Sequence, residues 1–99
     1  MLKIEYKTKK LEKVCTDVRT AEKQYGCQMA EKIQLRIDQI AAADSIGMLV
    51  QLHIGRCHAL TGDRKGQYAM DLVHPYRLVF QEKNGYIEVA LILEIVDYH

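Results

Sequence analysis

The 99-residue sequence predicts an α+β fold in which an N-terminal strand and helices pack on one face of an antiparallel β-sheet. Three observations carry that expectation. Between Ala30 and Ile40 apolar side chains recur at three- and four-residue steps (Ala30, Ile33, Ile37, Ile40), a stripe that one helix face can bury. From Ile54 onward the period drops to two, the spacing of strands. The second half also holds three tight turn signals, Thr61 to Gly66, His74-Pro75 and Asn84-Gly85, and short joints suit antiparallel neighbours.

Leu2 to Tyr6 alternates apolar and charged side chains, Leu2, Ile4 and Tyr6 against Lys3 and Glu5, as a short half-buried strand does. Lysine on its outer side suits a sheet edge. Thr8 offers an N-cap oxygen to a helix carrying Leu11 and Val14, and Thr16 with Asp17 can cap the next. From there to Ala43 the chain reads as helix with one weak point at Gly26, and Lys32, Arg36 and Gln39 are expected to point away from the core. Asp44 and Ser45 end the helix or start a turn through Gly47 to Leu49. Three strands follow, at Gln67 to Val73, Tyr76 to Glu82 and Tyr86 to Val96, so that with the segment around His58 they form a meander. Gly62 and Gly66 suit the positive φ of a tight turn. Pro75 suits the second position of a type I or II turn, and Asn84-Gly85 is the strongest hairpin signal. In the last strand Ile87, Val89, Leu91, Leu93 and Ile95 share one face, expected under the helices.

Ninety-nine residues suffice for one compact domain, 1–99, and are too few for two. With 48% hydrophobic and 27% charged residues the composition is that of a globular protein and excludes a disordered chain. No apolar run reaches bilayer length, and the N-terminus lacks the apolar core of a signal peptide, so the expected compartment is the cytoplasm. Cys15, Cys27 and Cys57 form no CxxC pair, which argues against a disulfide framework and a zinc site and leaves free, mostly buried thiols. The net charge of +1 is unevenly spread. Lys3, Lys7, Lys9, Lys10 and Lys13 against Glu5 and Glu12 make the first 13 residues +3. Arg56, Arg64, Lys65 and Arg77 against Asp63 and Asp71 make 53–77 +2, with His53, His58 and His74 in addition. Lys83 against Glu82, Glu88, Glu94 and Asp97 makes 81–99 −3. Positive charge therefore gathers near the Thr61–Gly66 turn, where a polyanion is permitted as a partner.

The residues with chemistry lie at strand ends. His58 precedes the basic turn, Arg77 follows the Pro75 turn, and Asp97, Tyr98 and His99 close the chain. Gathered at one site, one group would take a proton from a hydroxyl while another protonates a leaving oxygen. Arg77 and Arg64 would neutralise phosphorane charge, because planar guanidinium forks match phosphate oxygens. That chemistry suits a phosphodiester beside a 2′-OH, which is RNA, cut without metal or other cofactor. The same residues have plainer readings: a hydrogen-bonded surface histidine, a solvated Arg64-Lys65 pair, frayed terminal residues, and an Arg77 paired with Glu82 or Asp71.

His58 to Gly66 (HALTGDRKG), Tyr76 to Phe80 (YRLVF) and the ending Val96-Asp97-Tyr98-His99 resemble the HigB-type toxins of the bacterial RelE/ParE toxin–antitoxin superfamily. The likeness is close in the second half of the chain; in the first it extends only to strand-then-helices order and length. It implies a RelE/ParE-like fold, with a curved antiparallel sheet whose concave face, opposite the helices, carries the active site. It implies a ribosome-dependent mRNA endoribonuclease that works by 2′-OH attack and leaves a 2′,3′-cyclic phosphate and a 5′-OH. The catalytic assignments it carries over are His58, Arg77, Asp97, Tyr98 and His99. Charge assigns Arg56, Arg64 and Lys65 to RNA or ribosome contact. The implied partners are the ribosome with its mRNA and a HigA-like helix-turn-helix antitoxin, through which alone DNA would be reached; no membrane is involved.

The chain departs from the family's usual HPLKGD by reading HALTGD, so Thr61 replaces a lysine. Losing a cation used directly would remove a few kcal/mol of transition-state stabilisation. Two alternatives stand beside the nuclease. A ParE-like inhibitor would bind gyrase without catalysis, but it has no need of several proton-transfer groups at strand ends. A non-catalytic antitoxin-binding co-regulator of transcription is the reading that Thr61 favours.

Overall fold

The computed structural model describes residues 2–83 and 88–97. Strand β1 (Lys3–Tyr6) leads into helices α1 (Lys9–Thr16), α2 (Val18–Tyr25), α3 (Cys27–Ala42) and α4 (Ile46–Gln51), followed by strands β2 (His58–Ala59), β3 (Gln67–Asp71), β4 (Tyr76–Lys83) and β5 (Val89–Asp97). The sheet order is β1-β5-β4-β3-β2. From β2 to β5 it is the expected antiparallel meander. The N-terminal strand makes the sheet mixed, because β1 lies parallel to β5, with Lys3 opposite Val89 and Tyr6 opposite Ile92. A parallel neighbour needs a long connection: the four helices carry the chain from β1 to β2 at the opposite edge of the sheet, and the meander then brings β5 back beside β1.

Helix boundaries follow local chemistry. Thr8 Oγ1 accepts from the Leu11 amide at 3.1 Å, and Asp17 Oδ1 accepts from the Arg19 amide at 3.1 Å, so both expected caps form. Gly26 is a full break, with φ +90° and ψ 169°, a conformation open only to glycine. The stripe of α3 is buried as the periodicity requires: Ala30, Ile33, Ile37 and Ile40 join Met70, Leu78, Phe80 and Ile92 of the sheet in one apolar cluster. Two expectations fail here. The stretch after Asp44 is a helix, α4, because Ser45 Oγ accepts from the Met48 amide at 3.1 Å and Glu88 Oε1 accepts from the Ile46 amide at 3.0 Å. Arg36 does not point away from the fold; it reaches the end of β3, as described below.

The sheet brings three corrections. His74-Pro75 is a cis peptide, and the Tyr76 amide donates to Val73 at 2.8 Å, so Pro75 occupies the third turn position and not the second. Ile54 to Arg56 forms a 3-10 turn, so strand pairing begins only at His58. In β5 the buried residues under the helices are Ala90 and Ile92, not Val89, Leu91 and Leu93. The register shows why: Phe80 faces Ile92 while Val79 faces Glu94, leaving Leu93 as the extra residue of a bulge. Beyond it the inward set resumes at Ile95, so the apolar alternation of the sequence crosses from one face to the other. Asn84-Gly85 and Ile87 lie outside the described residues. The His58-side turn behaves as expected, with Gly62 and Gly66 at φ +65° and +93°.

Candidate active site

Helices cover one face of the sheet, and the pleat assigns the rest to the other. Leu78 and Phe80 belong to the helix-side cluster, whereas Ala69 and Val79 are fully buried yet lie outside it. His58 pairs with Ala69, and Ala69 with Val79; two residues further on, Asp71 pairs with Arg77. His58, Asp71 and Arg77 therefore stand on the open face.

The turn before β2 adds a second arginine. His53, Gly55 and Arg56 all take left-handed backbone, with φ +53°, +59° and +56°. For histidine and arginine this conformation is uncommon, and it concentrates at functional positions. It turns the chain back on itself, so that His53, Arg56, His58 and Arg77 line one recess of about 550 Å3 with the buried Cys57. A second recess, of about 290 Å3, shares Arg56 and Arg77 and is walled by Asp71, His74, Pro75 and Tyr76. The two arginines thus line both recesses, and guanidinium groups of this kind can hold phosphate or carboxylate oxygens.

Asp71 is the counter-charge. Its Oδ1 lies 3.5 Å from Arg77 Nε and its Oδ2 lies 3.4 Å from Arg56 Nε. The Arg56 side chain is 82% exposed, so that contact is screened and weak, while Arg77 at 33% and Asp71 at 27% are better enclosed. His58 has a defined orientation. Its Nδ1 lies 2.8 Å from the Arg56 carbonyl oxygen, which can only accept, so Nδ1 carries a proton. In the neutral ring Nε2 then holds the lone pair. Burial pushes the Cys57 thiol up to about 11, which keeps this sulfur protonated and unreactive at neutral pH.

Of the residues expected at the site, His58, Arg77 and Arg56 meet. Arg64 lies elsewhere on the open face, where it donates to Gln67 Oε1 and Glu94 Oε1, each at 3.1 Å. Lys65 is exposed on the turn after it. Asp97 ends β5 opposite Tyr76, whose ring packs edge-on against Tyr25 at 5.5 Å. The pleat therefore puts Asp97 on the helix side of the sheet, while its neighbour Val96 pairs with Arg77. Tyr98 and His99 lie outside the described residues. Sequence reasoning passed over His53, whose signal was a glycine and an arginine within three residues of a histidine. It also passed over Arg36, for which the local sequence held no signal.

Three solved structures are similar to this fold along the whole chain. A YoeB/ParE toxin from Agrobacterium tumefaciens superposes with a TM-score of 0.64 at 14% identity, covering 99% of this chain and 100% of that one. The YoeB–YefM complex from Staphylococcus aureus gives 0.65 at 22%, over 100% and 98%. That is the fold of the YoeB/ParE toxins. The YoeB dimer from Staphylococcus aureus agrees, at 0.64 and 20% identity over 99% and 97%. No protein-family model matches the chain, and no curated protein does. The YoeB/ParE toxin architecture thus stands on three-dimensional likeness, and along its whole length. No helix among the described residues is long and apolar enough to cross a membrane.

Proposed function

We propose that this protein is the toxin of a type II toxin–antitoxin module, of HigB type, and that it cuts mRNA on the ribosome without a metal. The observation that carries the reading is the shared recess: His58, Arg56 and Arg77 open onto one cavity on the helix-free face of a YoeB/ParE toxin fold. In the reaction, His58 Nε2 takes the proton of the 2′-OH, whose oxygen bonds to the adjacent phosphorus. Arg56 and Arg77 neutralise the charge that builds on the phosphoryl oxygens. The bond from phosphorus to the 5′ oxygen breaks, and that oxygen takes a proton from a second acid, a role we assign to His99, one of the catalytic positions the resemblance carries over. The products are a 2′,3′-cyclic phosphate and a 5′-OH. The resemblance also counts Asp97 and Tyr98 among the catalytic positions, and Arg64 and Lys65 are assigned to RNA or ribosome contact. A cognate antitoxin, a HigA-like helix-turn-helix protein, holds the toxin inactive; the YoeB–YefM pairing of one structural neighbour supports a partner of this kind.

The test is to add untagged protein to a translating extract and map mRNA 5′ ends, with His58→Ala, Arg77→Ala and a variant lacking Tyr98 and His99 alongside. Ribosome-dependent cuts that all three changes abolish are expected. Cuts that survive in all three variants refute the site. A second reading, a non-catalytic antitoxin-binding co-regulator, has two observations in its favour: Thr61 stands where the family carries lysine, and Asp71 already occupies both recess arginines. Intact mRNA from folded, antitoxin-binding protein would establish it.

A further inference from the structure

Arg36 belongs to helix α3, on the far layer from the recess, yet its guanidinium ends beneath it. Its Nε donates to the backbone carbonyl of Asp71 at 2.7 Å, and its Nη1 donates to Gln39 Oε1 at 2.9 Å. The side chain is half-buried; desolvation pulls its pKa down, and the charge of Asp71 opposes that shift. The guanidinium also fills the space over Gly55: a Cβ there would sit 2.7 Å from Arg36 Nε and 2.8 Å from its Cζ. One side chain therefore meets the turn that carries Arg56, at Gly55, and the backbone of Asp71, the counter-charge that pairs with Arg77 across the sheet.

We propose that Arg36 is a positioning residue: it pins the end of β3 and the His53–Arg56 turn together, so that Asp71 presents Arg77 and Arg56 as one preset phosphate-binding pair. The magnitudes favour this source of order over the surface bridges. An ion pair to an arginine as exposed as Arg56 fixes little, whereas a charged hydrogen bond from a half-buried guanidinium to a backbone carbonyl is among the stronger contacts in a protein. Gly55 completes the device, because its φ of +59° and the missing Cβ both make room for Arg36. The role in RNA cutting rests on the function proposed above; the positioning itself does not.

The experiment separates the two. In the full-length protein, the Nε–H signal of Arg77 reports its contact with Asp71 and is read by 15N–1H NMR in wild type, Arg36→Lys, Arg36→Met and Asp71→Asn, with unfolding measured for each. The wild-type signal is expected away from the solvent-exposed arginine envelope. It is expected to return to that envelope in Asp71→Asn and Arg36→Met, and part-way in Arg36→Lys, which keeps the charge but not the fork. An Arg77 signal unmoved in a folded Arg36 variant overturns the proposal. In ribosome-dependent cleavage, Arg36→Met should lower activity about tenfold, the scale of one charge-assisted contact. It should add nothing in an Asp71→Asn background, because residues acting through one contact are not additive. Independent losses in the double variant overturn it. Wild type that cuts nothing overturns the proposed nuclease function and leaves the spectral result to decide on Arg36.

Discussion

At the residue scale, the orientation of His58 makes the sharpest prediction. The Arg56 carbonyl holds its Nδ1 proton, so only Nε2 is available as a base. His58→Gln keeps polar bulk and a donor but cannot accept a proton at neutral pH, and His58→Ala removes both. Both variants should lower single-turnover cleavage by about a hundredfold or more, the usual worth of a general base, with substrate binding nearly unchanged. Equal weakening of binding and rate would make His58 a binding residue instead. The thiols give an independent check on the enclosure of the recess. Cys57 and Cys15 are buried while Cys27 is exposed, its thiol pKa raised by the hydrogen bond it donates to Glu22, so a thiol reagent should label Cys27 first and the other two only on unfolding. His58 and Arg77 were singled out in the sequence by their places beside turns and by the motifs they share with the toxin family, and Arg56 by charge alone; the Ile54–Arg56 turn that seats Arg56 carried no strand or turn signal. Arg36 was not legible, because its decisive contact lies 35 residues away and a helical wheel places it in the polar half.

At the element scale, the bulge in β5 decides which residues hold the sheet to the helices. Alternation alone directs Leu91 and Leu93 inward; the structure buries Ile92 fully and leaves Leu91 half-buried on the open face. Ile92→Ala should therefore cost about 2–5 kcal/mol, and Leu91→Ala roughly 1 kcal/mol or less, in urea unfolding. The reverse order would restore the simple alternation. The strands, their antiparallel meander and the helix caps were legible because side-chain period and cap chemistry are local. The bulge was not, since an extra residue leaves no mark on an unbroken apolar run; nor was the parallel seat of β1, which depends on where the helices return the chain. Gly26 tests the helix break. Nothing lies within 4 Å of a Cβ built there, so Gly26→Ala adds no clash and isolates the backbone term. At φ +90° that term is about 1–3 kcal/mol. Thermal unfolding should fall by some 4–8 °C for each kcal/mol in a chain of this size.

At the scale of the whole molecule, two buried thiols and a half-buried phenol bear on the alkaline limit of stability. Burial pushes Tyr6 from 10.0 up to about 12, Cys15 from 9.0 up to about 12 and Cys57 from 9.0 up to about 11; the neighbouring Cys15 and Glu12 add to the shift of Tyr6. In each case the folded protein keeps a proton that the unfolded chain releases. Their stabilising contribution is therefore complete below pH 9, where both states are protonated, and it declines as the unfolded thiols and then the unfolded phenol ionise. The urea midpoint should be level from neutral pH to pH 9 and fall between pH 9 and 12. A variant with Cys15→Ala, Cys57→Ala and Tyr6→Phe starts from a lower midpoint, because it has lost packing around the core. Its alkaline slope should nonetheless be shallower than that of wild type, since three of the groups that drive the slope are gone. Parallel slopes in the two proteins would show that these side chains already ionise in the folded state, and that the α1–β1 corner and the floor beside the recess admit water.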